Sequence, residues 1–317
     1  MSPFNEPIFV EFQDNQCLQL LIGAQSAHLK RMEMLLNVTI SHKGNQLIID
    51  GNPHDALCAK NALHALYDQA CGGHDITEGS VDASVKMSDP ANGLSQEEKD
   101  IKITTRRRVI FPRSAQQARY IKEIQSHDLV FGLGPAGTGK TYLAAAVGVS
   151  LLMKNHIKRL ILTRPAVEAG EKLGFLPGDM REKVDPYLRP IYDALHDMMS
   201  VDQVNKHMVN GDIEVAPLAF MRGRTLSDAF VILDEAQNTT PGQMKMFLTR
   251  LGNRSQMVVT GDLSQIDLPP GMPSGLQDAV NVLEGTQGIG MTTFDDRDVV
   301  RHPLVARIVR AYNNQRG

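Results

Sequence analysis

The sequence predicts an α/β protein: a mainly parallel β-sheet flanked by helices over residues 106–317, preceded by a small α/β unit over residues 1–72. Three observations carry this reading. Short apolar runs alternate with helix-compatible stretches through the second part of the chain. The motifs rich in Gly, Asp and Thr sit at the carboxyl ends of those runs. The first part carries its own, separate set of strand and helix signals.

In residues 1–72, Ile8, Val10 and Phe12 alternate as a half-buried strand does, and Leu29, Met32, Leu36 and Leu35 share one helical face. Val38 and Ile40 open a second strand. Lys43-Gly44-Asn45 supplies a turn, Leu47-Ile48-Ile49 a third strand, and Asn52-Pro53-His54-Asp55 a helix start, with the helix expected to run to about Gln69. From Cys71-Gly72-Gly73 onward Gly, Ser, Asp and Glu dominate. Residues 73–105 therefore read as a linker with a short helix near Ser95-Gln96-Glu97-Glu98. Beyond Arg106, strands are expected at Leu129-Val130-Phe131, Leu160-Ile161-Leu162, Ile213-Glu214-Val215, Phe230-Val231-Ile232-Leu233 and Met257-Val258-Val259. Runs of this length, each followed by a helix, indicate strands buried on both faces of a parallel sheet.

Composition sets outer bounds. With 42% hydrophobic and 22% charged residues, the chain has material for a true core, and a formal net charge of −3 offers no global argument for nucleic acid. No stretch approaches the roughly 20 apolar residues of a membrane span. The first residues lack a secretory signal. Cys17, Cys58 and Cys71 have no Cys-x-x-Cys spacing and are expected as packing residues in a reducing cytoplasm.

The strongest motif is Gly134-Pro135-Ala136-Gly137-Thr138-Gly139-Lys140-Thr141, between the strand ending at Leu133 and a helix from Thr141 to Leu152. Glycines let backbone N–H groups approach phosphates, and the helix amino terminus adds partial positive charge. In this P-loop context Lys140 reaches the β- and γ-phosphates of ATP, and the Thr141 hydroxyl ligates Mg2+. The apolar strand ending in Asp234-Glu235 supplies a second Mg2+ ligand, Asp234, and a general base, Glu235. A third strand end, Thr260-Gly261-Asp262-Leu263-Ser264-Gln265, brings Gln265 as a sensor of the γ-phosphate or the attacking water. Asp262 there reaches towards the metal sphere. Upstream, Gln117 carries an amide that offers a donor and an acceptor to an adenine edge.

Taken together, the segments Phe131–Ala144 (which include Tyr142), Arg164–Asp179, Asp234-Glu235-Ala236-Gln237-Asn238, Gly261–Pro269 and Asp298-Val299-Val300-Arg301-His302-Pro303 resemble the PhoH-like proteins. The resemblance covers Arg106 to the carboxyl terminus. It implies a cytoplasmic P-loop NTPase of RecA/helicase-like fold, related to the core of superfamily-1 helicases and linked to RNA metabolism. It also implies that Gln117 reads adenine and that Tyr142 belongs to the nucleotide site. A YbeY-type endoribonuclease of ribosomal RNA maturation is the implied partner. The first 72 residues resemble a KH-type RNA-binding fold, with Gly23-Ala24-Gln25-Ser26 where that fold has Gly-x-x-Gly. Here Ser26 stands in place of the second glycine.

After Asp262 the chain runs only to Gly317, too short for a second ATPase-like lobe. The resemblance likewise implies a homo-oligomer, a hexamer in many members. An arginine finger is then expected from a neighbouring subunit, with Arg250, Arg254, Arg297 and Arg301 as candidates. The Arg106-Arg107-Arg108 cluster and Arg113 read either as a phosphate-backbone contact or as a solvated junction, and Arg164, at a strand end, as a contact for phosphate or nucleic acid. Two other classes of function remain open on these residues. One is a small-molecule kinase with an acceptor pocket in 165–215. The other is a nucleotide-gated adaptor that recruits a nuclease without sustained turnover.

Overall fold

The structure, a computed structural model, describes residues 6–92, 94–165 and 180–299. Its contacts divide the chain into two compact units. The first takes Met1–Lys102 and Phe111–Ala118, the second Ile103–Ile110 and Arg119–Gly317.

The first unit runs β1 (Ile8–Glu11), α1 (Asn15–Ile22), α2 (Ala27–Leu36), β2 (Thr39–Lys43), β3 (Gln46–Asp50), α3 (Pro53–Cys71), α4 (Glu78–Ser88) and α5 (Gln96–Lys99). Asp14 starts α1 by accepting from the Gln16 and Cys17 N–H groups, a cap worth about 1 kcal/mol. Gly44, at φ +64°, lets β2 turn tightly into β3. The sheet is antiparallel in the order β1-β3-β2. Its inner face (Val10, Leu47, Ile49) meets Leu63 and Leu66 of α3.

Two expectations are corrected here. The stretch read as a linker contains α4, whose Val81 is fully buried in this core beside Val85. Thr77 and Ser80 form a reciprocal capping box at its start, and Arg31 grips Asp82 through two bonds of 2.8 Å. The apolar stripe of α4 is only one residue wide among Gly, Ser and Asp, so it fell below notice. The cysteines are the second correction. Cys17 of α1 and Cys71 of α3 are joined as a disulfide with Cα atoms 5.2 Å apart, while Cys58 alone is a buried packing thiol. A separation of 54 residues hid that neighbourhood from any reading by spacing.

The second unit opens with the small hairpin β4 (Ile103–Thr104) and β5 (Val109–Ile110). Helix α6 (Ala115–Ser126), whose first turn belongs to the other unit, leads into β6 (Leu129–Leu133) and α7 (Lys140–Met153). Then come β7 (Arg159–Arg164), α8 (Met180–Met198), α9 (Val201–Asn210), β8 (Ile213–Pro217), β9 (Ala229–Leu233), α10 (Pro241–Leu248), β10 (Gln256–Gly261), α11 (Gly275–Leu283) and β11 (Ile289–Thr293). Six strands pair in parallel in the order β11-β6-β10-β9-β7-β8. The five strands expected from apolar runs are all present. β11 was not anticipated: it is an edge strand in which only Gly290 and Thr292 are buried, so it carries no apolar run. No helix among the described residues is long and apolar enough to cross a membrane.

Every residue of β6 and β9 is buried, as befits central strands covered on both sides. Helix α7 crosses close over the sheet at Gly148, where a Cβ would run into the Leu160 and Phe230 side chains.

Candidate functional site

Register brings the motifs together. Gly261 pairs with Leu133, Val259 with Leu233, and Thr163 with Leu233, so β6, β10, β9 and β7 end at one edge. Two further backbone bonds tie that edge, Gly134 N–H to Gly261 O (3.1 Å) and Asp234 N–H to Thr163 O (2.9 Å). Ligands of such sheets bind beyond these carboxyl ends.

The loop leaving β6 bends through Gly134 (φ +135°), Gly137 (+86°) and Gly139 (+84°). Gly134 leaves no room for a side chain, since a Cβ there would collide with the Phe294 carbonyl oxygen. Lys140 lies 8% exposed under the loop and donates to Gly134 O (2.7 Å), Pro135 O (2.8 Å) and Thr138 Oγ1 (3.2 Å). Burial pushes its pKa down, opposed by the charges of Asp262, Asp234 and Glu235. An anionic phosphate in the loop would meet this ammonium in place of the carbonyls.

Thr141, in the first turn of α7, donates from Oγ1 to Asp234 Oδ1 at 2.5 Å, and the buried Thr260 hydroxyl donates to the same oxygen at 2.7 Å. A hydroxyl and a carboxylate in direct contact are the hard oxygen donors that Mg2+ takes. Asp262 is 7% exposed, and its Oδ2 has no hydrogen-bond partner among the described residues. That orphaned, buried acceptor also fits a hydrated cation. Thr141 and Asp234 are the residues that would hold Mg2+, and the ion would supply positive charge to a bound nucleotide's phosphates.

Glu235 sits in the left-handed region (φ 54°, ψ 38°), a conformation a non-glycine residue holds at a cost of order 1–3 kcal/mol. Both of its carboxylate oxygens are engaged. Oε1 accepts from Arg164 Nη2 at 2.9 Å, and Oε2 accepts from Gln237 Nε2 at 2.6 Å. The Gln237 amide oxygen accepts from Asp262 N–H at 3.1 Å, so one fully buried side chain links the second and third motifs. Arg164 also reaches Asp234 Oδ2 through Nε, at 3.2 Å.

Sequence reading quoted Gln237 inside a motif without giving it a role, and missed Thr260 as a partner of Asp234. The signal available was polarity in otherwise apolar strand ends, where a buried hydroxyl or amide must find a partner. Arg164 was placed beside phosphate chemistry, but its pairing with both carboxylates was not foreseen.

The remaining expected residues are scattered in role. Gln265 is exposed and donates its N–H to Asp262 O at 3.0 Å. Gln117 lies in the first unit, 3% exposed, its amide oxygen accepting from Arg113 N–H at 2.7 Å. Tyr142 donates to Asp197 Oδ2 at 2.6 Å, and its phenol is pushed up to about 12 by burial and by that bond. Arg250 donates to Met246 O (3.1 Å) and Arg224 O (3.2 Å), clasping the end of α10. Arg254 pairs with Asp228 before β9 and β10 begin, at the sheet edge opposite the loop. Arg297 follows β11 at the loop's edge, 92% exposed and paired with Asp295. Arg301 and the segment 166–179 lie outside the described residues. Two members of the basic cluster are engaged within the second unit. Arg107 donates to His196 O (2.7 Å) and Arg108 pairs with Asp197 (2.7 Å), at the carbonyl-rich end of α8, where cations are favoured.

Comparison with known proteins shows the family to which the chain belongs. Residues 109–313 match the family described as PhoH-like protein. A PhoH-like protein of Bacillus subtilis is 52% identical, over 93% of this chain and 93% of its own. One from Mycobacterium leprae is 50% identical, over 92% of this chain and 84% of its own. Among solved structures, the Pif1 helicase of Candida albicans aligns with 63% of this chain and 43% of its own, at 17% identity and a TM-score of 0.32. On the first three matches, this chain belongs to the PhoH-like protein family.

Proposed function

We propose that the protein binds and hydrolyses ATP with Mg2+, and that it does so in RNA metabolism as a homo-oligomer. The observation that carries the hydrolytic reading is the shared end of β9. Asp234 is bonded to Thr141 of the phosphate loop at 2.5 Å, and the next residue presents a second carboxylate on the same edge. A kinase for small molecules needs no such second carboxylate beside the metal ligand.

In this reading, Lys140 exchanges its loop carbonyls for the β- and γ-phosphates, and backbone N–H groups of Gly137, Gly139 and Lys140 complete the cradle. Glu235 accepts the proton of the attacking water, which lies in line with the γ-phosphate. Gln237 holds Glu235 in place and Gln265, exposed at the same edge, meets the γ-phosphate or water. Gln117 reads adenine. A neighbouring subunit supplies an arginine to the developing charge. Arg297 suits that role by its exposure and position, with its guanidinium paired to Asp295, whereas Arg250 is less exposed and clasps backbone carbonyls of its own chain. The RNA assignment is supported by the order β1-α1-α2-β2-β3-α3 with its antiparallel sheet, which is that of a KH-type module. Gly23, Gln25 and Ser26 form the tight turn between its first two helices, all at positive φ. A YbeY-type endoribonuclease is the partner this assignment brings with it.

The test is steady-state ATP turnover by the wild type and Lys140→Ala, with and without single-stranded RNA, alongside sedimentation at several concentrations. Expected are loss of turnover in Lys140→Ala, stimulation of the wild type by RNA, and a multimer. Undiminished turnover in Lys140→Ala sinks the site assignment. Turnover indifferent to RNA removes the RNA part alone.

A further inference from the structure

Among the described residues, Arg164 is the cation seen to touch both acidic residues of the site. Its Nε lies 3.2 Å from Asp234 Oδ2 and its Nη2 donates to Glu235 Oε1 at 2.9 Å, with the arginine side chain only 16% exposed. Glu235 is 43% exposed and accepts from Gln237 on its other oxygen. With one oxygen held by a guanidinium and the other by an amide, the carboxylate is not free to turn to an attacking water. The arrangement in hand is thus a held one, with the general base clamped.

We propose that Arg164 is a positioning residue that gates Glu235: it holds the carboxylate back until a phosphate oxyanion draws the guanidinium away. This rests on the reading of Glu235 as the general base. Three features support it. Arg164 is the last residue of β7, whose neighbour β9 ends at Leu233 just before Asp234, so the guanidinium stands where phosphates bind on such a sheet. A guanidinium is charged at every accessible pH and matches phosphate with two parallel bonds, so a phosphate competes directly with the carboxylates. Glu235 leaves the strand end in the left-handed region, and the two contacts that hold its carboxylate are both made by side chains. Release therefore proceeds by side-chain rotation and needs no backbone movement.

Two phosphates share this chemistry, the γ-phosphate of the nucleotide and the backbone of a bound RNA strand. The test uses the full chain, comparing wild type, Arg164→Ala and Arg164→Lys for kcat and KM with and without a single-stranded oligonucleotide. Equilibrium affinities for ADP and for a non-hydrolysable ATP analogue are measured beside them. If a strand phosphate opens the gate, Arg164→Ala turns over faster than wild type without RNA. Its stimulation by RNA then falls to about one-fold, and the slope of log affinity for RNA against log salt becomes shallower by about one. Arg164→Lys, which keeps the charge but lacks the fork, retains part of the response. If the γ-phosphate opens it, RNA stimulates neither protein, and Arg164→Ala loses affinity for the analogue but not for ADP. Either pattern supports the gate.

Two results overturn it. One is a fall of kcat in Arg164→Ala to the level of Glu235→Gln with analogue affinity intact, which makes Arg164 a mere support. The other is an Arg164→Ala protein matching wild type in kcat, RNA response and analogue affinity. A wild type that binds ATP but never hydrolyses it removes the general-base reading itself, and the gate with it.

Discussion

Thr163 of β7 and Thr260 of β10 each stand one residue before the end of the two strands that flank β9, are both fully buried, and differ in one respect. The Thr260 hydroxyl donates to Asp234 Oδ1 at 2.7 Å, while Thr163 Oγ1 has no hydrogen-bond partner among the described residues. Valine has nearly the shape of threonine, so neither substitution opens a cavity. Thr260→Val removes a bond to a charged group, worth about 1.5–3 kcal/mol, and gains roughly 0.8 kcal/mol from an added apolar group. The expected net loss is about 1–2 kcal/mol. Thr163→Val removes a buried hydroxyl that nothing satisfies, so its expected effect is a gain of about 1 kcal/mol or more. Equilibrium urea unfolding, compared by midpoint at constant slope, reads both. Thr260→Val should also raise the Mg2+ concentration needed for half-maximal turnover, because Asp234 loses a bond that orients it. A Thr260→Val protein as stable as wild type, or a Thr163→Val protein destabilised as much as Thr260→Val, refutes the reasoning.

Further outcomes follow from single features. Gly134→Ala, at φ +135° and against the Phe294 carbonyl, should abolish nucleotide affinity or folding of the loop, read by fluorescent-nucleotide titration. Tyr142 is held protonated up to about 12, above the ordinary value near 10. Its raised pKa therefore contributes stability that is whole below about pH 10 and is lost as pH rises towards 12. The contribution is at most about 2.7 kcal/mol before solvent screening at a half-buried ring. Tyr142→Phe should flatten that limb of the stability-against-pH curve. Leu63→Ala, a fully buried truncation in the first unit, should cost about 2–5 kcal/mol by urea unfolding.

Much of the second unit was legible because its strands are apolar throughout and end in motif residues. Phe230 to Leu233 announce both a buried strand and the position of Asp234. The phosphate loop was legible for the same reason, since its glycines stand between a clear strand and a clear helix. What escaped depends on contacts between segments far apart in sequence. Val81 and Val85 make a stripe too narrow to stand out from the Ser and Asp around them, yet they close the first core. β11 follows its neighbour's hydrogen bonds and needs little apolar content of its own. Arg107 and Arg108 look like a solvated run until the end of α8 is seen beneath them. The pairing of Arg164 with Asp234 and Glu235 spans about 70 residues and follows from strand order, which periodicity does not encode.

The central claim is that Glu235 performs chemistry while the loop from Gly134 to Thr141 performs binding. Equilibrium ATP affinity and single-turnover hydrolysis, measured on the same preparation of Glu235→Gln, separate the two directly. The account predicts affinity close to that of wild type with hydrolysis slowed about 100-fold or more, the scale of a lost general base. Hydrolysis at the wild-type rate, or affinity lost together with hydrolysis, contradicts it.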